Sequence, residues 1–136
     1  MNTYLIIGIV AVAIAITVGI VLSKKTSLID KIKKRTNEIL FYNIPIKVID
    51  GSTNFLDIAG WFKSLKLDKE KHIPFIADPN VFKGMLKFEQ KKSVALFIGV
   101  YDEKSDEIIH SQIIEADELD PKTLEILGTE KLVVLS

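Results

Sequence analysis

The sequence predicts a mixed α/β (α+β) domain that is attached to a single membrane-spanning helix, and three observations support this prediction. Residues 4–22 read YLIIGIVAVAIAITVGIVL, an apolar run without charge or proline. Helix-like and strand-like hydrophobic patterns alternate in the rest of the 136-residue chain, which is typical of helices packed on a sheet. The residues after the run, about 110 in number, suffice for one small domain with one core.

The apolar run at residues 4–22 has the length of a transmembrane helix. Bilayer hydrocarbon is about 30 Å thick and a helix rises about 1.5 Å per residue, so roughly 20 apolar residues cross it. No Lys or Arg precedes the run, and the run is longer than a typical signal-peptide core. We therefore expect a retained anchor preceded by a short extracytoplasmic segment at residues 1–3. A buried helix of a soluble domain is the alternative.

A basic segment follows the predicted span. It contains one acid, Asp30, and six cationic residues: Lys24, Lys25, Lys31, Lys33, Lys34 and Arg35. Cytoplasmic flanks of membrane helices carry an excess of Lys and Arg, so we expect an inner-membrane protein with its N-terminus outside and residues 43–136 in the cytoplasm. The same cations suit the anionic headgroups of the inner leaflet. A nucleic-acid partner is disfavoured, because the membrane surface already explains the basic patch.

Small residues repeat at four-residue spacing within the span, which lets two helices approach closely in lipid. Alternate steps of three and four residues continue this stripe beyond the span, as in a coiled coil. The resulting self-association seam consists of Ala11, Ala15, Gly19, Leu22, Ile29, Ile32 and Ile39. We therefore expect residues 23–42 to form a juxtamembrane stalk helix and the chain to form a homo-oligomer through the seam. A stalk that packs on its own domain is the alternative.

Residues 43–65 open the predicted domain. Asn43 and Pro45 should end the stalk helix, because a residue that precedes proline avoids the helical region. Residues 44–49 alternate partly between apolar and polar side chains and predict a strand. A polar turn at residues 50–54 follows, and from Phe55 onward the apolar residues recur at helical spacing.

Six further elements complete the predicted domain. They are a short strand at residues 73–76, a helix from Asp78-Pro79, strands at 93–101 and 107–116, a helix from Asp120-Pro121, and a strand at 131–135. Asp followed by Pro is a typical helix start, and Gly128 is placed to end the last helix. Residues 93–101 are apolar at nearly every position, as in a strand that is covered on both sides. We therefore expect a sheet of about four or five strands with packed helices.

The turn at residues 50–54 is the strongest candidate binding site in the sequence. It follows a predicted strand and opens a predicted helix, where free backbone N–H groups and the helix dipole favour an anion. The donors of Gly51, Ser52, Thr53 and Asn54 would suit a phosphate-bearing ligand such as a nucleotide. The alternative is ordinary capping of the helix, since the turn lacks the glycines and lysine of a P-loop.

No residue pattern indicates a reaction. Cysteine is absent, which excludes disulfides, thiolate metal sites and cysteine nucleophiles. The two histidines, His72 and His110, have no partner at metal-ligand spacing. The acids between Asp102 and Asp120 are best interpreted as a solvated rim. We expect no enzyme activity, no metal and no cofactor.

Two functions fit these expectations. In the first, the cytoplasmic domain binds a ligand or partner, and this changes how the stalks and spans associate. The layout of one span plus one small domain is similar to that of small membrane effectors of prokaryotic defence systems, which implies a nucleotide-sensing domain by analogy of architecture. In the second, the chain is a structural or accessory subunit of a larger membrane complex.

Overall fold

The computed structural model of the chain describes residues 22–39, 43–82 and 89–135. In these ranges the fold is mixed α+β, with a five-stranded sheet and three α-helices. The mixed α+β class predicted for the domain, and its sheet of about four or five strands, are therefore confirmed.

The elements follow one another in the predicted order. Their bounds are α1 Leu22–Thr36, β1 Ile46–Val48, α2 Phe55–Ser64, β2 His72–Ala77, a 3-10 helix Pro79–Val81, β3 Val94–Asp102, β4 Glu107–Ala116, α3 Pro121–Leu127 and β5 Leu132–Val134. Side-chain caps mark two helix starts, since Asn54 accepts a hydrogen bond from the N–H of Leu56 and Asp120 accepts one from the N–H of Thr123. Gly128 ends α3 with φ 54°, a conformation that glycine adopts at little cost.

The strands lie side by side in the order β1-β4-β3-β2-β5. β1 runs parallel to β4, and the other neighbours are antiparallel. The long hairpin of β3 and β4 therefore forms the centre of the sheet, while the three-residue strands β1 and β5 form its two edges.

Helices cover both faces of the sheet. Phe55, Ile58 and Phe62 of α2 and Leu127 of α3 pack on one face, together with side chains of β2, β3, β4 and β5. Ile32 of α1 packs on the opposite face in a second cluster. This two-sided cover explains why seven consecutive residues of β3, from Leu96 to Asp102, are buried.

The predicted stalk helix is shorter than expected. α1 ends at Thr36, where the N–H groups of Glu38 and Ile39 bond carbonyls three residues earlier and form a turn, whereas the stalk was predicted to continue to residue 42. After Asp78 the described residues form a 3-10 turn, Pro79–Val81, and the rest of the helix predicted there lies outside the described residues. Residues 40–42 and 83–88 lie outside the described residues.

The predicted membrane span also lies outside the described residues, except for Leu22, which begins α1. The seam members Ala11, Ala15 and Gly19 fall in the same undescribed segment. Among the helices in the described ranges, none has the length and apolar character that crossing a bilayer requires.

Candidate functional site

The junction between α1 and the sheet is the contact through which residues 22–36 meet the domain. Ile32 has no exposed surface and contacts the cluster that contains Phe75, Phe97 and Ile113 of the sheet. Ile29 and Ile39 are partly buried against the same cluster. The seam residues that follow the span, Ile29, Ile32 and Ile39, thus contact the sheet of their own chain. This is the alternative arrangement that the sequence left open. Self-association through the seam stays a prediction.

A polar network closes this junction at the end of α1. The Arg35 guanidinium pairs with the carboxylate of Asp106 in the β3–β4 turn and, at 3.1 Å, with Glu38. The buried Tyr101 hydroxyl donates to the other Asp106 oxygen at 2.6 Å. The bonds from Arg35 and Tyr101 lower the pKa of Asp106 to about 2. Burial first, and then the bond to Asp106, raise the pKa of Tyr101 to about 12. Asp106 is therefore ionised and Tyr101 neutral at physiological pH.

The cations of the basic segment lie in different surroundings, because Arg35 belongs to this network and the lysine side chains that the structure describes in α1 do not. Arg35, predicted to face the membrane surface, pairs with Asp106 and Glu38, and its contact with the membrane stays a prediction. Lys31 and Lys34 are exposed and Lys33 is half-buried. The side chains of Lys24 and Lys25 lie outside the described residues. The exposed lysines of α1 therefore remain the candidates for contact with anionic headgroups.

The turn at residues 50–54 is held by the chain's own acids. The Gly51 N–H donates to the Asp117 carboxylate at 2.7 Å, and the Thr53 N–H donates to the Glu118 carbonyl at 3.0 Å. The bond from Gly51, and then the one from Lys92, lower the pKa of Asp117, so a negative charge already occupies the position where an anion was expected.

The side chains of the same turn are engaged as well. The Thr53 hydroxyl donates to Asp120 at 2.6 Å and accepts from the Asp120 N–H at 2.9 Å. The Asn54 side chain caps α2, and the Ser52 hydroxyl bonds the Thr53 carbonyl at 3.1 Å. These contacts match the capping alternative, and phosphate binding at the turn stays a prediction.

A small pocket of about 110 Å³ opens beside the turn, between β1, α2 and the sheet. Its wall is mainly apolar, with Ile58 and Trp61 of α2 facing Ile98 and Ile114. Lys47, Asn54, Asp57 and Gln112 add polar groups at the wall. The volume is smaller than the roughly 300 Å³ at which ordinary ligand pockets begin, so the pocket suits a single side chain better than a nucleotide.

The buried carboxylate of Glu115 was missed in the sequence, where it belongs to an acidic run. Its Oε1 accepts hydrogen bonds from the backbone N–H groups of Lys91 and Lys92, the latter at 2.8 Å, and only 1% of the residue is exposed. The Lys92 ammonium in turn pairs with Asp50 at 2.8 Å and Asp117 at 3.3 Å. The contacts position the segment that leads into β3. The alternation of β4 was the available signal, because Glu115 follows Ile113 on the same face.

The two histidines lie on strands of the sheet, His72 on β2 and His110 on β4. His72 begins β2, accepts a hydrogen bond from the Asp68 N–H at 2.9 Å, and lies 3.5 Å from Asp102. His110 is exposed on β4. Within the described ranges, no group of three His, Asp or Glu side chains is arranged to hold a metal.

Comparison of the chain with protein-family models, with curated proteins and with solved structures found no match.

Proposed function

We propose that this chain is a non-enzymatic, single-pass membrane protein whose small cytoplasmic domain binds a ligand or partner. The observation that supports this proposal most directly is the α1 junction, defined by Ile32, Arg35, Tyr101 and Asp106. α1 begins at Leu22, the last residue of the apolar run. Ile32, ten residues later on the same helix, packs in the core of the domain. A helix anchored in this way would hold the domain close to the inner leaflet.

The junction would also couple the domain to the span. α1 packs on the face of the sheet that contains Phe97 and Ile113, and its last turn is tied to the β3–β4 turn through Arg35 and Asp106. A packed helix moves as a unit with the surface it contacts. Binding that shifts the β3–β4 hairpin would therefore shift α1 and the span that precedes it.

A protein partner is better supported than a nucleotide. A phosphate at the turn would have to replace the Asp117 carboxylate on the Gly51 N–H, and it would lie close to Asp50 and Asp120 as well. Like charges at such short range oppose binding. The nucleotide-responsive form of the proposal, and its analogy with defence effectors, is therefore the less favoured version.

A structural or accessory subunit of a larger membrane complex is the second candidate. It is favoured by the exposed apolar side chains of β1, since Ile46 and Val48 are about half exposed at 46% and 52%. Exposed apolar surface on an otherwise covered sheet is typical of contact with another protein.

Membrane extraction of the full-length protein tests the anchor. We expect the chain to stay with membranes after a carbonate wash and to require detergent for release. Ala13→Lys places a charge at the centre of the run, at a cost of about 3 kcal/mol for insertion, and should lower the membrane-bound fraction. Lys63→Ala, at an exposed lysine of α2 away from the basic segment, is the control and should not. Recovery of the unmodified chain in the aqueous fraction would exclude the proposal.

Mass determination of the detergent-solubilised chain tests the binding function. The mass gives the copy number and shows any partner that co-purifies. Addition of mononucleotides and cyclic oligonucleotides to the same sample, followed by thermal unfolding, tests the nucleotide-responsive form. Unchanged unfolding temperatures across these ligands would exclude that form and leave the partner-binding form standing.

A further inference from the structure

The β1 edge, defined by Ile46, Lys47 and Val48, is an open side of the sheet. All three residues are exposed, whereas the residues of the opposite edge strand, β5, are all buried. Among the described strands, β1 pairs only with β4, to which it runs parallel.

The backbone of this edge has unused hydrogen-bonding groups. The Pro45 carbonyl and the Ile49 N–H both bond β4, at 2.9 and 2.8 Å. Because alternate residues of a strand direct their polar groups to opposite edges, those of Ile46 and Val48 point away from β4. Their N–H groups bond no other described residue. An exposed row of this kind is a template for an added strand.

The side chains give the edge two different faces. Ile46 and Val48 are in register with Ile113 and Glu115, on the face that α1 covers, and leave an apolar strip beyond the helix. Lys47 is in register with Ile114, on the face that α2 covers, and lines the pocket of about 110 Å³. Lys47 forms no ion pair with another described residue. The edge thus presents two apolar positions on one face and one cation on the other.

This pattern does not suit a second copy of the chain. In a two-fold antiparallel pair that uses all three residues, Ile46 lies opposite Val48 and Lys47 lies opposite Lys47. That central pair is the close type, with Cα atoms about 4.5 Å apart, where like charges are destabilising. A shift of the register by two residues in one direction places Ile46 opposite Asp50, and a shift in the other direction places Lys47 opposite Pro45. Either shift pairs β1 with residues that lie outside the strand.

We propose that the β1 edge binds an extended segment of a partner protein as a sixth strand. The segment has an acidic residue opposite Lys47, flanked on both sides by β-branched apolar residues that extend the strip of Ile46 and Val48. The acid would lie at the mouth of the pocket beside Trp61. This inference names the partner chemistry within the proposed function. It does not depend on the anchor, so its failure would leave the membrane-extraction result unchanged.

Hydrogen exchange of the full-length chain in mild detergent tests the proposal. The probe is a capped peptide Thr-Val-Glu-Val-Thr, and its counterpart has Lys in place of Glu. We expect the acidic peptide to slow exchange across residues 44–50 and to bind about five- to tenfold more tightly than the basic one. Lys47→Glu should reverse this preference.

Two further variants distinguish peptide binding at the β1 edge from nonspecific hydrophobic binding. Val48→Pro removes an outward N–H, which an edge strand tolerates, and should abolish protection by the acidic peptide. Leu124→Ser removes an equally exposed apolar side chain from α3 and should leave binding unchanged. If Val48→Pro fails to fold, the reversal by Lys47→Glu decides alone.

Three results would overturn the proposal. They are absence of protection at the highest soluble peptide concentration, equal affinity for the acidic and basic peptides, and slow exchange of the Ile46 and Val48 N–H groups in the absence of peptide. The last result would show that the edge is already occupied.

Discussion

Replacement of Ile32 by alanine should destabilise the whole domain, because α1 contributes to the core. The side chain is fully buried against the sheet. The substitution removes three carbon atoms at about 0.8 kcal/mol each, and the remaining cavity adds to this loss, so we expect a decrease of about 3 kcal/mol in the free energy of unfolding. A small domain has about 5–15 kcal/mol in total, which makes this change easily measurable.

The fluorescence of Trp61 provides the assay. It is the single tryptophan of the chain and lies in α2, on the face of the sheet opposite α1. Guanidinium unfolding of the detergent-solubilised protein can be followed by this fluorescence. Because the described residues of α1 do not contact Trp61, a shift of the Trp61 transition would show that the substitution in α1 destabilises the whole domain. Ile32→Val should cost about 1 kcal/mol, and Lys31→Ala, an exposed neighbour on the same helix, should change the value by less than about 0.5 kcal/mol.

A free stalk would give a different result. If α1 were a separate helix that met other copies of itself, Ile32→Ala would leave the Trp61 transition in place and would change only the copy number. An unchanged transition midpoint would therefore refute the assignment of α1 to the core and would favour association through the seam.

Three other substitutions test separate features of the packing. Gly99→Ala should destabilise the domain by about 1–3 kcal/mol in chemical denaturation, because its Cβ would come within 2.8 Å of the Phe75 ring; an unchanged midpoint would contradict this. Thr36→Val should stabilise the domain by about 1 kcal/mol, because the buried Thr36 hydroxyl has no hydrogen-bond partner among the described residues; a loss of stability would show that a partner exists. The pKa of Asp106 is depressed to about 2, below its ordinary value of about 4, so its contribution is present above pH 4 and is lost as the pH falls towards 2. Asp106→Asn should therefore lower stability at neutral pH and flatten the acid limb of the stability curve, whereas parallel curves for both proteins would exclude this role.

The predicted elements agree with the structure where local chemistry decides. Apolar spacing identified α2, and the two long strands of the hairpin were placed within one residue of their observed bounds. Asp120 and Gly128 marked the start and end of α3. In each case the signal is a side chain acting on backbone within a few residues of itself, and such effects can be read from neighbouring letters.

The candidate site was less accessible to sequence reasoning. The donors of the 50–54 turn looked free for an anion, but Asp117 and Asp120, more than sixty positions away, bond Gly51 and Thr53. The parallel pairing of β1 with β4 brings these segments together. The same pairing leaves the outer edge of β1 open. No local sequence pattern indicates which strands will be neighbours, because the order of strands in a sheet depends on the packing of the whole domain.

Sequence alone determined the types of element in the domain, the two-sided cover of β3, and the prediction of an apolar run that meets a basic segment. Tertiary structure decided that Ile32 belongs to the core, that Arg35 pairs with Asp106, and that no other described strand pairs with the outer edge of β1. The physical reason is that sequence patterns involve neighbouring residues, whereas these contacts join residues far apart in the chain. Hydrophobic periodicity specifies which face of a helix avoids water, but either a second copy of the chain or its own sheet can satisfy that face. Only the folded arrangement identifies the surface that covers it.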